Sequence, residues 1–153
     1  MIIAAWRDTP YNIVLLLHIL TAIMGLAPVF VNTLLAEQMT DHRARAPMIG
    51  FMARNNMRIY GTGLIVAGLI GLGLPSMSKT GDEALYAMSD SWVAIGFVVW
   101  ILMVGVMHGL IVPAEKAVSV GDDTAEKKLT VGSGVFTLLA VVELILMVVK
   151  PGA

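Results

Sequence analysis

The sequence predicts an all-α integral membrane protein, an antiparallel four-helix bundle that forms one transmembrane domain over residues 1–153, and three observations predict it. The chain is 58% hydrophobic and 14% charged with a mean hydropathy of +0.84, where a soluble domain carries about a quarter charged residues. From Tyr11 to Leu35, YNIVLLLHILTAIMGLAPVFVNTLL, it runs 25 residues without Asp, Glu, Lys or Arg. At about 1.5 Å per residue that helix crosses a bilayer core of roughly 30 Å. Three more apolar runs follow, at about 59–74, 91–112 and 129–149, with polar connections between them.

The first span opens on Thr9-Pro10, a capping residue followed by a proline suited to the first helical position. Trp6 and Tyr11 flank it as interfacial aromatics. Pro28 lies deep in the helix and should kink it, freeing a carbonyl for Thr21, Asn32 or a neighbouring helix to satisfy. The apolar run is too long for a signal-peptide core and no small-residue cleavage site follows it, so no cleavable signal is expected.

Glu37 to Arg58 is polar and rich in arginine, yet Met48, Phe51, Met52 and Ile59 recur at helical spacing after Pro47. This predicts a second helix that extends beyond the membrane, apolar on one side and basic on the other. Its span should end at Pro75, and within it Gly63, Ala67 and Gly71 form a small-residue ridge for close helix approach. Ser89 or Asp90 caps the third span, which has Trp92 at its start, carries Gly105 and Gly109 with His108 beside them, and should end at Pro113. Asp123-Thr-Ala-Glu126 reads as an aspartate form of a capping box for a fourth helix that begins in water. One acid, Glu143, lies inside the fourth apolar run.

The 36–58 and 113–130 connections hold seven Lys or Arg (Arg43, Arg45, Arg54, Arg58, Lys116, Lys127, Lys128). The termini and the 75–90 connection hold three (Arg7, Lys79, Lys150). By the positive-inside rule both termini lie outside and the basic connections face the cytoplasm. The formal net charge of -1 argues against nucleic acid as a partner. The absence of cysteine removes disulfides, thiolate metal sites, iron–sulfur clusters and covalent haem attachment. The eleven methionines read as soft packing material, with a thioether haem or metal ligand as the minor alternative.

With this topology His18 lies roughly 10 Å, Glu143 roughly 9 Å and Trp100 roughly 14 Å below the outer ends of their helices. All three share the outer half of the bundle. His108 lies near the cytoplasmic end, level with Asn32, Arg58, Tyr60 and Glu115, and about 15 Å from His18 along the normal, too far for both histidines to ligate one iron. His108 reads as a structural or headgroup-level residue. His18 has Ala22 and Gly25 at i+4 and i+7, which clears room on its own face for a flat ligand or for a close-packed helix. Glu143 must be neutral, paired or facing water. It either hydrogen-bonds His18 or Trp100 to fix helix register, or tunes what His18 binds. No metalloprotease, P-loop or nucleophile-elbow motif is present, and Gly61-Thr-Gly63 lacks the strand a dinucleotide loop needs.

The stretches LLLHILTAIMG in the first helix and SWVAIGFVVWILMVGVMHGLIVPAEKAV in the third resemble an uncharacterised family of small four-span bacterial membrane proteins, a domain of unknown function. That family is distantly similar to the copper-resistance D-type membrane domain and to the haem-dependent membrane protoporphyrinogen oxidase. The resemblance spans about residues 11–120. In those relatives the first-helix histidine is associated with haem or metal, and His18 is the residue that aligns with it. The oxidase also carries an arginine after its first-helix glycine and a lysine in its third helix. Neither is present here, so the resemblance implies fold more than activity.

The leading expectation is therefore a b-type haem-binding or redox-associated bundle, with His18 as axial or metal ligand and Gly25, Trp100 and Glu143 around the cofactor. The competing expectation is a non-catalytic accessory subunit that packs against other membrane subunits or a second copy of itself. It is motivated by two small-residue ridges where one small bundle needs fewer. Proton or cation movement through Glu143 is a third.

Overall fold

The computed structural model describes residues 9–38, 42–80, 83–84 and 86–151. Expectations placed on Trp6 and Arg7, and on the side chains of Thr9, Asn32, Arg43 and Lys79, lie outside the described residues.

Four long helices form the bundle. Helix α1 is Thr9–Gln38, with Pro28 inside it. Helix α2 covers 42–77 in three continuous pieces, His42–Asn55, a π-helical turn Asn56–Tyr60, and Gly61–Met77. Helix α3 is built the same way, from Ser91–Val106, a π turn Met107–Ile111, and Val112–Ser119. Helix α4 follows a 3-10 turn, Asp123–Ala125, and runs Glu126–Val149. Between α2 and α3 lies a minimal ladder, Lys79–Thr80 (β1) antiparallel to Glu83–Ala84 (β2). Each helix contains a stretch long and apolar enough to cross a membrane: Pro10–Val31, Arg45–Met77, Ser91–Ser119 and Asp123–Val149. The chain is a multi-pass membrane protein.

The extension of the second helix through the basic segment is present as expected, since 42–77 is helical without a break. Three expected boundaries move. The second helix passes Pro75 and ends at Met77. The third passes Pro113 and ends at Ser119. Proline has no N–H and its ring crowds the carbonyl four residues back. A π turn stands just before Pro113, where the Val112 amide bonds the Met107 carbonyl, five residues back. The expected cap before α4 lies one residue earlier and closes the 3-10 turn, while α4 itself starts without a side-chain cap. Asp122, not Asp123, accepts hydrogen bonds from the Thr124 amide and hydroxyl.

Pairs of residues fix an antiparallel register throughout. Gly25 of α1 meets Leu64 of α2, Gly61 and Gly68 of α2 meet His108 and Trp100 of α3, and Gly132 of α4 meets Leu110 and Ile111 of α3. The α1–α2 and α3–α4 hairpins pack against each other around a core that includes Leu64, Val99, Met103, Met107, Ile111 and Phe136. A second, smaller core of Ile49, Val118 and Ala125 joins the basic extension of α2 to the end of α3 and the start of α4. An Arg45–Glu126 ion pair of 2.8 Å spans the same layer. The outer surface of the bundle is apolar, with Leu16, Ile23, Phe30, Leu69, Leu102 and Leu138 exposed. In a bilayer, lipid chains cover such a surface.

At the opposite end, Trp92 in the first turn of α3 is buried. Tyr86 packs edge-on against it with ring centroids 5.4 Å apart. Lys150, in a left-handed conformation after α4, donates to the Tyr86 hydroxyl at 2.9 Å and lies over the Tyr86 ring.

Candidate functional site

Two polar side chains within the spans, His18 and Trp100, reach carbonyls of α2. His18 of α1 donates from Nδ1 to the Ala67 carbonyl at 2.9 Å. A carbonyl only accepts, so Nδ1 carries the proton in this contact. Trp100 of α3 donates from Nε1 to the Leu64 carbonyl at 2.8 Å.

Both acceptors are carbonyls inside a helix, and glycine makes them reachable. The residue four positions on lies beside a helical carbonyl, since its own N–H bonds that oxygen. For Leu64 that residue is Gly68, where a Cβ would overlap the Trp100 indole; for Ala67 it is Gly71, where a Cβ would lie 3.0 Å from His18 Cε1. Two glycines thus open two carbonyls of one helix to side chains arriving from opposite neighbours.

The expected hydrogen bond from Glu143 to His18 or Trp100 is not formed. Both donors go to α2 instead, and the Glu143 carboxylate lies against Gly96 of α3, with oxygens 3.5 and 3.6 Å from where a Cβ would stand. One Glu143 oxygen is buried without a hydrogen-bond partner. His18, Trp100 and Glu143 lie in the half of the bundle away from the basic connections but occupy three separate contacts.

The face of His18, Ala22 and Gly25 is a helix interface. A Cβ on Gly25 would lie 2.7 Å from Leu64 Cα and N, so the backbone of α2 fills the room that a flat ligand would use. The Gly63–Ala67–Gly71 ridge supplies the other side, as expected for packing. The donor chemistry of His18 fits an axial ligand, because Nε2 makes no hydrogen bond among the described residues and keeps its lone pair. The surroundings do not fit a macrocycle on that face. No group of three His, Cys, Asp or Glu residues able to hold a metal occurs among the described residues.

His108 lies at Gly61, six to ten residues along α2 from the His18 contacts at Ala67 and Gly71, or about 9–15 Å. Its Nδ1 donates to the carbonyl of Val104 in its own helix at 3.0 Å. The two histidines stand at different levels of the bundle.

The second buried polar cluster is one the sequence reading passed over. Glu115 is 1% exposed and Asn56 fully buried. Asn56 Nδ2 donates to Glu115 Oε1 at 2.6 Å across the α2–α3 interface, while Glu115 Oε2 is buried without a partner. The antiparallel register was the missing signal. Once Gly61 faces His108 and Gly68 faces Trp100, Asn56 must approach Glu115.

The second ridge behaves differently from the first. Gly105 and Gly109 are exposed on α3, and a Cβ at either would meet nothing within 4 Å. The chain matches no family model, no curated protein and no solved structure.

Proposed function

We propose that this chain is a non-catalytic accessory subunit that packs in the membrane against a helix of a larger complex or of a second copy. The open Gly105–Gly109 edge of α3 carries this reading. Between helices in lipid, association depends on close backbone approach and van der Waals contact, which glycines four residues apart permit. In this reading His18 and Trp100 hold α2 to its neighbours. The charge asymmetry of the connections supports an orientation with both termini outside, and the resemblance to small bacterial membrane proteins supports a bacterial cytoplasmic membrane location.

The test is purification from native membranes in mild detergent, wild type beside Gly105→Leu and Gly109→Leu. A membrane protein partner or a dimer with the wild type, lost in both variants while the bundle stays helical, is expected. A stable free monomer from native membranes overturns the proposal.

A second reading keeps His18 as the axial ligand of a b-type haem, favoured by the Nδ1–H to Ala67 contact. A ligating histidine characteristically donates its other ring nitrogen to a carbonyl or carboxylate. Such a haem would have to lie off the α1–α2 interface, because α2 occupies the Gly25 face. A reduced-minus-oxidised absorption spectrum of the same preparations, with His18→Ala, separates the readings. Soret and α bands lost in the variant favour haem; a flat spectrum removes it.

A further inference from the structure

Helices α2 and α3 each change from α to π winding in the half of the bundle that carries the basic connections, at Asn56–Tyr60 and Met107–Ile111. π turns are rare and recur at functional sites. The Asn56–Glu115 pair lies at this level, joining the first residue of one π turn to the segment just after the other. The segments that carry the pair also bury Ile49, Met52, Ala53, Ile111, Val112 and Val118.

Asn56 Nδ2 satisfies Oε1 of Glu115 and leaves Oε2 with no partner. No cation balances the carboxylate among the described residues. Arg54 and Arg58 are exposed, Lys116 is exposed with its Nζ on Met57 Sδ, and His108 donates to Val104. Arg45, on the part of α2 that packs here, pairs with Glu126 of α4. A buried carboxylate held in place by one amide and left with one open oxygen calls for a positive charge.

We infer that Glu115 and Asn56 form a binding site for a small monovalent cation, a proton or an alkali ion, between α2 and α3. Glu115 Oε2 is the primary ligand, and Asn56 fixes its direction. A divalent ion is disfavoured on charge. Among the described residues Glu115 is the one buried carboxylate here, which balances a single positive charge. This inference goes beyond the accessory role and stands whether or not a partner helix is found.

The experiment is infrared spectroscopy of the purified protein in liposomes, in the Glu143→Gln background so that one intramembrane acid remains. The carboxyl and carboxylate stretching bands are followed against pH, and against NaCl, KCl or choline chloride at constant pH. A band assigned to Glu115 by its loss in Glu115→Gln should titrate. Response to pH alone identifies the proton; response to sodium or potassium but not choline identifies an alkali ion. Asn56→Ala should shift the midpoint by at least several-fold in cation concentration. Glu115→Asp, which keeps the charge, serves for assignment if Glu115→Gln does not fold. A Glu115 band that ignores pH and every salt overturns the inference.

Discussion

Replacing Gly25 by alanine tests whether the His18 face is a packed interface. The new Cβ would stand 2.7 Å from the Leu64 Cα and N, against 3.4 Å or more for ordinary contact. The difference, 3.4 minus 2.7, requires α1 and α2 to part by about 0.7 Å, because both opposing atoms are backbone and no rotamer change relieves them. Overpacking of this kind costs about 1–3 kcal/mol. The same separation stretches the 2.9 Å contact of His18 with Ala67 toward the limit of a hydrogen bond, a further loss of about 0.5–1.5 kcal/mol. Alanine returns about 1 kcal/mol of helix propensity. The net expectation is a destabilisation of about 1–3 kcal/mol, read from reversible unfolding in mixed detergent–SDS micelles by circular dichroism. Gly105→Ala is the control, since nothing lies within 4 Å of its Cβ; it should leave the monomer unchanged or up to about 1 kcal/mol more stable. A Gly25→Ala protein at least as stable as wild type would refute the packed-interface reasoning.

Three other outcomes follow from the same contacts. Gly68→Ala displaces the Trp100 indole and should cost about 1–3 kcal/mol, most of it recovered in a Trp100→Leu background; an equal cost in both backgrounds contradicts the clash. Asn56→Leu alone removes the donor to buried Glu115 and should destabilise by about 1–3 kcal/mol, while Asn56→Leu with Glu115→Leu approaches wild-type stability; a double variant worse than the single rejects this account. At the start of α4, the Thr124 hydroxyl holds the exposed Asp122 carboxyl below the usual carboxylate range, with the Thr124 amide adding to it. The cap therefore contributes in full above the ordinary aspartate pKa and is lost as pH falls through the lowered value. Protection of the Thr124 amide, its exchange rate relative to the intrinsic rate at each pH, should fall over that interval in wild type and stay flat in Asp122→Ala.

The fold was legible because bilayer insertion leaves few options. A long uncharged run can satisfy its backbone only as a helix, and short connections make neighbouring helices antiparallel. The Gly63–Ala67–Gly71 ridge was legible as packing for the same reason. Depth along each helix was legible too, and it placed His18 and His108 at different levels. Rotation about the helix axis was not. His18, Trp100 and Glu143 share a depth, yet which neighbour each one meets depends on the register between helices, and Gly68 and Gly71 set that register by exposing carbonyls. The buried Glu115 was hidden by its place after Pro113, where an ordinary α-helix would have ended and left it in water.

The π turns have a consequence for the direction in which residues point. In an α-helix each residue advances about 100° around the axis, so one extra residue in a turn rotates everything beyond it by about that angle. Helix α3 therefore comprises two phases of one rod. Residues before Met107 are aimed by the phase that packs Val99 and Met103 into the core, and residues after Ile111 by a second phase that turns Glu115 inward. Helix α2 changes phase at the facing position, between its basic extension and its span. Deleting one residue from either turn would relax the winding and swing one partner of the Asn56–Glu115 pair away from the other. The pair is aimed by the helical winding as much as by its own side chains.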